Sequence, residues 1–181
     1  MGQKEWAGRS IHLLRAFSIV SFILIILFYF TNISLALLFI FLVIPDLILL
    51  LVPLNHLSRQ DQDFKLPYRT VLASSISFIV FLVSFFFLIS SEFVVSSNIS
   101  FSFVQVLYSI GAAGIALFAL IIASGIGIVF GESLGLWRLG VKNGSKTLKY
   151  GAVLFALPIL DIAGSILLIL GLFSLKVGDI K

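Results

Sequence analysis

The 181-residue chain is 60% hydrophobic and 11% charged, contains no cysteine, and has a mean hydropathy of +1.21. A soluble domain keeps about a quarter of its residues charged, so this composition excludes a water-facing globular surface, and the lack of cysteine excludes disulfides and thiolate metal sites. A net charge of +4 in such a chain points to Lys and Arg gathered on cytoplasmic connections rather than to nucleic acid.

The opening MGQKEWAGRSIHLLRAF has no small-residue cleavage site after a short apolar region, so no cleaved signal peptide is expected. Trp6 occupies the position where a myristoylation motif has Ser or Thr. From Ala16 to Ser58 the one Asp, Glu, Lys or Arg is Asp46. The hydrocarbon core is about 30 Å thick and needs about 20 helical residues, so this stretch reads as two spans, residues 10–30 and 33–54. Thr31 and Asn32 supply the turn and a cap for the second helix.

Residues 55–70, NHLSRQDQDFKLPYRT, read as the clearest hydrophilic loop. A third span follows at 71–90, a short polar connection between Glu92 and Asn98, and a fourth span at 101–130. A second polar segment, 131–149, leads to a fifth span at 150–175. The expected fold is all-α, a polytopic transmembrane bundle of about five spans forming one membrane domain over 1–181. Arg138, Lys142, Lys146 and Lys149 mark a basic membrane-interface segment, in which Leu134, Trp137 and Val141 share one side. Gly140 and Asn143-Gly144 should end it. Asp61-Gln62-Asp63 is too sparse for a metal loop and reads as a solvated connection.

Orientation follows from Lys and Arg. Lys4, Arg9 and Arg15 precede the first span; Arg59, Lys65 and Arg69 lie between the second and third; the four cations above lie between the fourth and fifth. The other two connections carry none, so the N-terminus is cytoplasmic and five spans put the C-terminus outside. Lys176 and Lys181 stand against that placement. Asn98, in an Asn-Ile-Ser triplet on the outer side, is a glycan acceptor in principle.

Small residues recur at every fourth position through the fourth span, at Ala119, Ala123, Gly127 and Gly131. Steps of four lie along one ridge of a helix, and in lipid such a ridge admits a second backbone at close range. The expected occupant is the fifth span, whose Gly151, Ala152, Ala156, Ala163, Gly164 and Gly171 also lack bulk; a partner subunit is the alternative. Gly135 is expected to lie past the helix end.

Asp46 and Asp161 are the carboxylates expected within spans, each shortly after a proline, Pro45 and Pro158. Helix 2 running inward and helix 5 outward would put both near the midplane. A charged Asp there costs about 2.5–3.5 kcal/mol, so each is expected to be neutral, paired, or facing a wet cavity. Hydrogen bonding to Ser, Thr or a proline-freed carbonyl competes with a proton or cation site. Serines 74, 75, 77 and 84 either line a path or bond their own helix. No catalytic cluster, nucleotide loop or metal group is evident, and haem ligation by this chain alone is not expected, because His12 lies at the end of a span, cysteine is absent and Met1 is the lone Met. No cofactor is expected.

The segment YSIGAAGIALFALIIASGIGIVFGESLGLWRLGVKNGSKTLKYGAVLFALPILDIAGSILLILGL resembles small archaeal multi-pass membrane proteins of an uncharacterised family. In these a Gly-rich span is followed by a short basic LG segment and a G…P…G…L…GL pattern. The resemblance covers about a third of the chain, implies an archaeal cell membrane and names no activity. Asp161 departs from the Asn or apolar residue of that pattern. The resulting expectation is a non-catalytic membrane subunit that packs against other transmembrane chains or itself, in a setting such as a respiratory or other energy-converting complex. The alternative is a small oligomeric proton- or cation-coupled transporter or channel using Asp46 and Asp161.

Overall fold

A computed structural model describes residues 3–30, 36–93 and 111–175, with side chains for 8–27, 43–88 and 111–175. The turn expected at Thr31-Asn32, Asn98 and residues 101–110 of the expected fourth span lie outside the described residues. The described residues are helical, with no strand: α1 (Gln3–Phe30), α2 (Ala36–Gln60), a 3-10 turn (Gln62–Phe64), α3 (Lys65–Phe93), α4 (Gly111–Lys142), α5 (Lys146–Phe155) and α6 (Asp161–Ser174). Three segments are long and apolar enough to cross a membrane: Gly8–Leu27, Gln62–Leu88 and Gly111–Lys142.

Three expectations are corrected. The 55–70 loop is almost entirely helical, because α2 continues to Gln60 and α3 begins at Lys65. Asp61 makes so short a connection possible: its Oδ1 accepts from the Asp63 backbone N–H at 2.9 Å, and Pro67 falls in the first turn of α3, where its missing N–H is harmless. The polar segment 131–149 is likewise more helical than expected: α4 runs unbroken to Lys142 with Gly131, Glu132, Ser133, Gly135, Leu136 and Leu139 buried, while Trp137 and Val141 of the expected interfacial side are exposed. Gly140 does not end it. The stop comes at Asn143-Gly144, where Gly144 takes φ +64°, the left-handed cap that glycine adopts without strain.

The third correction concerns 150–175. It is not one helix. Pro158 interrupts it, and residues 156–160 form turns between α5 and α6. At 1.5 Å per residue, α5 and α6 are about 15 Å and about 21 Å long, short of the hydrocarbon thickness. They form an antiparallel hairpin in fixed register. A Cβ at Gly151 would lie 2.9 Å from Leu168 N, one at Gly164 would lie 2.6 Å from Phe155 Cα, and one at Gly171 would lie 2.9 Å from Leu148 N. The small residues expected to fill the α4 ridge thus serve the hairpin's own backbone contact.

The chain divides into two compact units, residues 1–71 with 129–181, and residues 72–128. The core of the first is a Leu-rich cluster contributed by every element: Leu14 and Phe17 of α1, Leu50, Leu54 and Leu57 of α2, Phe64 of the 3-10 turn, Val71 of α3, Leu136 and Leu139 of α4, Leu148 and Ala152 of α5, and Leu168 and Leu172 of α6. Steps of three and four place these on one stripe of each helix. Arg15 of α1 fastens the hairpin: its Nε donates to Leu172 O at 3.1 Å and its Nη2 to Leu175 O at 2.7 Å, and its guanidinium lies 5.1 Å from the Phe173 ring centre. These bonds satisfy carbonyls that end α6 without an intrahelical partner. In the second unit Gly127 lies against Ser74, whose side chain a Cβ would overlap, and Phe85 meets Phe118 with ring centres 6.1 Å apart. Ile76, Val80, Val83, Ile115, Ile122 and Ile126 are exposed there, the surface expected of helices solvated by acyl chains.

Candidate functional site

Polar groups buried inside the first unit form the candidate site. Asp46 stands one turn before Leu50 on α2, and its carboxylate accepts from the Ser21 hydroxyl of α1 at 2.9 and 3.0 Å. Ser21 is 5% exposed. Glu132 stands one turn before Leu136 on α4, so it occupies the buried stripe rather than the helix's outer face. It is 4% exposed, and its Oε1 has no hydrogen-bond partner. Asp46 lies within electrostatic reach of it. Ser133, next in sequence, also has a buried hydroxyl oxygen without a partner.

An unpaired polar atom in a core costs about 1–3 kcal/mol, more where charge is involved. Carboxyls that feel one another's charge in a low-dielectric interior repel when both are ionised. Protonation of either one relieves that repulsion. The arrangement offers oxygen ligands alone, suited to hard cations or protons and not to soft metals. Among the described residues no group of three or more His, Asp or Glu side chains is placed to hold a metal ion.

The continuous fifth span expected to carry Asp161 is broken by turns at 156–160. Asp161 lies in the first turn of α6, where its Oδ1 accepts from Ile162 N at 2.8 Å; a carboxylate favours this end of a helix. Gly127 and Gly131 pack inside the chain, Gly131 against Val71 and Pro67, whereas Ala119 and Ala123 are exposed. Gly135, expected beyond the helix, lies within it, against Leu54 and Pro67. Of the four cations on the expected interface segment, Lys142 pairs with Asp61 and lies 3.4 Å from Asp63, so Asp61-Gln62-Asp63 is a docking point for the end of α4. Arg138 and Lys149 are half-buried and Lys146 is exposed. Ser84 bonds its own helix at Val80 O.

Sequence reasoning missed Glu132 because the fourth span was ended at Phe130, where the polar segment 131–149 begins. The signal was present: Glu132, Leu136 and Leu139 repeat at four and three residues, the spacing of a buried stripe. No family model, curated protein or solved structure matches the chain, so the likeness to small archaeal membrane proteins gains no support from these comparisons.

Proposed function

We infer that the chain is a small integral membrane protein of transporter or channel type, in which Asp46 and Glu132, with the Ser21 hydroxyl, hold a proton or a monovalent cation. The observation that carries this reading is Glu132, buried to 4% exposure with an unpartnered carboxyl oxygen. Ionisable groups in membrane helices are costly and mark ion or proton pathways when they face a bundle interior. Glu132 takes the role that the sequence alone assigned to Asp161.

The arrangement in the cell membrane follows from helix length and charge. α1, α3 and α4 cross; α2, 25 residues long, is the fourth crossing; α5 and α6 enter and return on one side. The hairpin tip is apolar, with Leu157, Ile159 and Leu160 exposed by 47%, 92% and 41%, an unsuitable composition for a turn in water. Its Leu157 and Leu160 N–H groups are hydrogen-bonded within the turn, and Pro158 has none. Four crossings return the chain to the side of its N-terminus, the cytoplasm by the Lys and Arg distribution. Lys176 and Lys181 then obey the same rule as the other cations. In this reading the C-terminus lies inside, unlike the expectation from five spans.

The test is flux of H+ and of Na+ in vesicles containing the purified protein, for the parent and for Glu132→Gln and Asp46→Asn. Flux abolished in variants that still fold supports the reading; absent flux in the parent, or flux unchanged in both variants, rejects it. A second reading, a non-catalytic subunit packing against another transmembrane chain, is favoured by the exposed Ala119 and Ala123 half of the α4 ridge. A defined protein partner recovered in mild detergent, lost in Ala123→Leu, supports it.

A further inference from the structure

A cleft of about 620 Å³ opens between α1 and α2, remote in sequence from Glu132 and unused by the function proposed above. Arg9 and Leu13 of α1 form one wall, and Arg59, His56, Asn55 and Val52 of α2 form the other. Both walls change character in the same direction. On α1 the step from Arg9 to Leu13 runs one helical turn from the start of the apolar segment Gly8–Leu27 into its body. On α2 the step from Arg59 through His56 and Asn55 to Val52 runs back from the last turn of the helix into its apolar body. One end of the cleft is therefore cationic and rich in hydrogen-bond donors, and the other end is hydrocarbon. Among the described residues no Asp or Glu lines it. Val52 is 46% exposed, so the apolar end is open to whatever surrounds the helices.

Each feature selects a ligand property. Two guanidiniums match phosphate oxygens in planar, forked geometry. Asn55 supplies an amide donor of the kind that bonds a glycerol or phosphate oxygen. The position, at the ends of two apolar helices, is the headgroup level of a bilayer. The Leu13–Val52 end offers an apolar wall for an acyl chain. Basic pockets between membrane helices on the cytoplasmic side are suited to anionic lipid headgroups. We propose that the cleft between α1 and α2 is a binding site for a phosphate-bearing anion, the headgroup of an anionic phospholipid, clamped by Arg9 and Arg59 with its acyl chain along Leu13 and Val52.

The experiment uses the full chain, delipidated in a neutral detergent and titrated with phosphatidylglycerol or phosphatidylcholine, with bound lipid counted by native mass spectrometry. Phosphatidylglycerol should bind more tightly than phosphatidylcholine. Each Arg near an anionic surface contributes about 1 kcal/mol, a factor of roughly 5, so R9Q/R59Q should weaken phosphatidylglycerol binding roughly 25-fold. The control R138Q/K146Q, which alters cations outside the cleft, should weaken it far less. Val52→Gln should weaken lipid binding without affecting inorganic phosphate, and phosphate at millimolar concentration should not displace the lipid. Displacement by phosphate, with Val52→Gln silent, would keep the phosphate clamp and assign a free anion in place of the lipid. Equal binding of the two lipids, or equal losses in R9Q/R59Q and the control pair, overturns the proposal. Should R9Q/R59Q fail to fold, R59Q alone, at an exposed residue of the last turn, and the charge-preserving R9K/R59K carry the same comparison.

Discussion

Gly164→Ala should destabilise the protein measurably, although alanine is the better helix former. A Cβ at residue 164 would lie 2.6 Å from Phe155 Cα and 2.7 Å from Leu154 C, whereas ordinary contact begins at 3.4 Å. The obstacle is backbone, which has no rotamer to retreat into. Moving Phe155 Cα from 2.6 to 3.4 Å opens α5 and α6 by about 0.8 Å, and a gap of 0.5–1 Å forfeits about a quarter to a half of each dispersion contact. Overpacking of this kind costs about 1–3 kcal/mol, against a helix-propensity gain of about 1 kcal/mol. The net expectation is a loss of up to about 2 kcal/mol, which the comparison with a glycine in open space makes visible. Gly125→Ala is the matched control, because nothing lies within 4 Å of a Cβ there and the propensity gain stands alone. The assay is unfolding of the purified protein in mild detergent under increasing denaturant, followed by helical circular dichroism. A Gly164→Ala midpoint equal to or above that of Gly125→Ala would refute the close packing of α5 on α6.

Arg15→Gln should loosen the end of α6, since charge-assisted bonds to carbonyls contribute about 1.5–3 kcal/mol; faster hydrogen exchange at Leu172 to Leu175 than in the parent checks it. Single cysteines at Lys146 and Lys176 should label from the same side of sealed vesicles, as a returning hairpin requires, and the native chain brings no cysteine of its own to confuse the result. Labelling from opposite sides would restore a fifth crossing. Lys142→Ala should cost about 1 kcal/mol or less, because its ion pairs with Asp61 and Asp63 are partly exposed, and a denaturation midpoint shifted by much more would mean that Lys142 does more than dock the end of α4.

Particular residues show how far the sequence could be read. Helical class and membrane residence followed from composition, because no arrangement of so few charges covers a soluble surface. The α4 ridge was visible as a spacing, and its use at Gly127 and Gly131 is the close approach that such spacing permits. Its partner was misassigned: Gly151, Gly164 and Gly171 meet the opposing strand of their own hairpin, and spacing carries no information about which helix arrives. The broken fifth span was signalled by Pro158, but a proline alone does not distinguish a kink from a reversal. Arg15 and Leu172 are joined across nearly the whole chain, a contact that local pattern cannot foretell. Glu132 was hidden by the assumption that the helix ends where polar residues begin, whereas α4 continues to Lys142 as a packed core element.

The proposed function turns on Glu132 being a buried carboxyl that handles an ion within electrostatic reach of Asp46. Dicyclohexylcarbodiimide, which modifies protonated carboxyls in apolar surroundings, tests it in the folded protein, with the modified residue located by mass spectrometry. The account predicts modification of Glu132, slowed by raising the pH or by adding Na+. A Glu132 that stays unmodified in the folded protein, or reacts at a rate indifferent to both H+ and Na+, would contradict it.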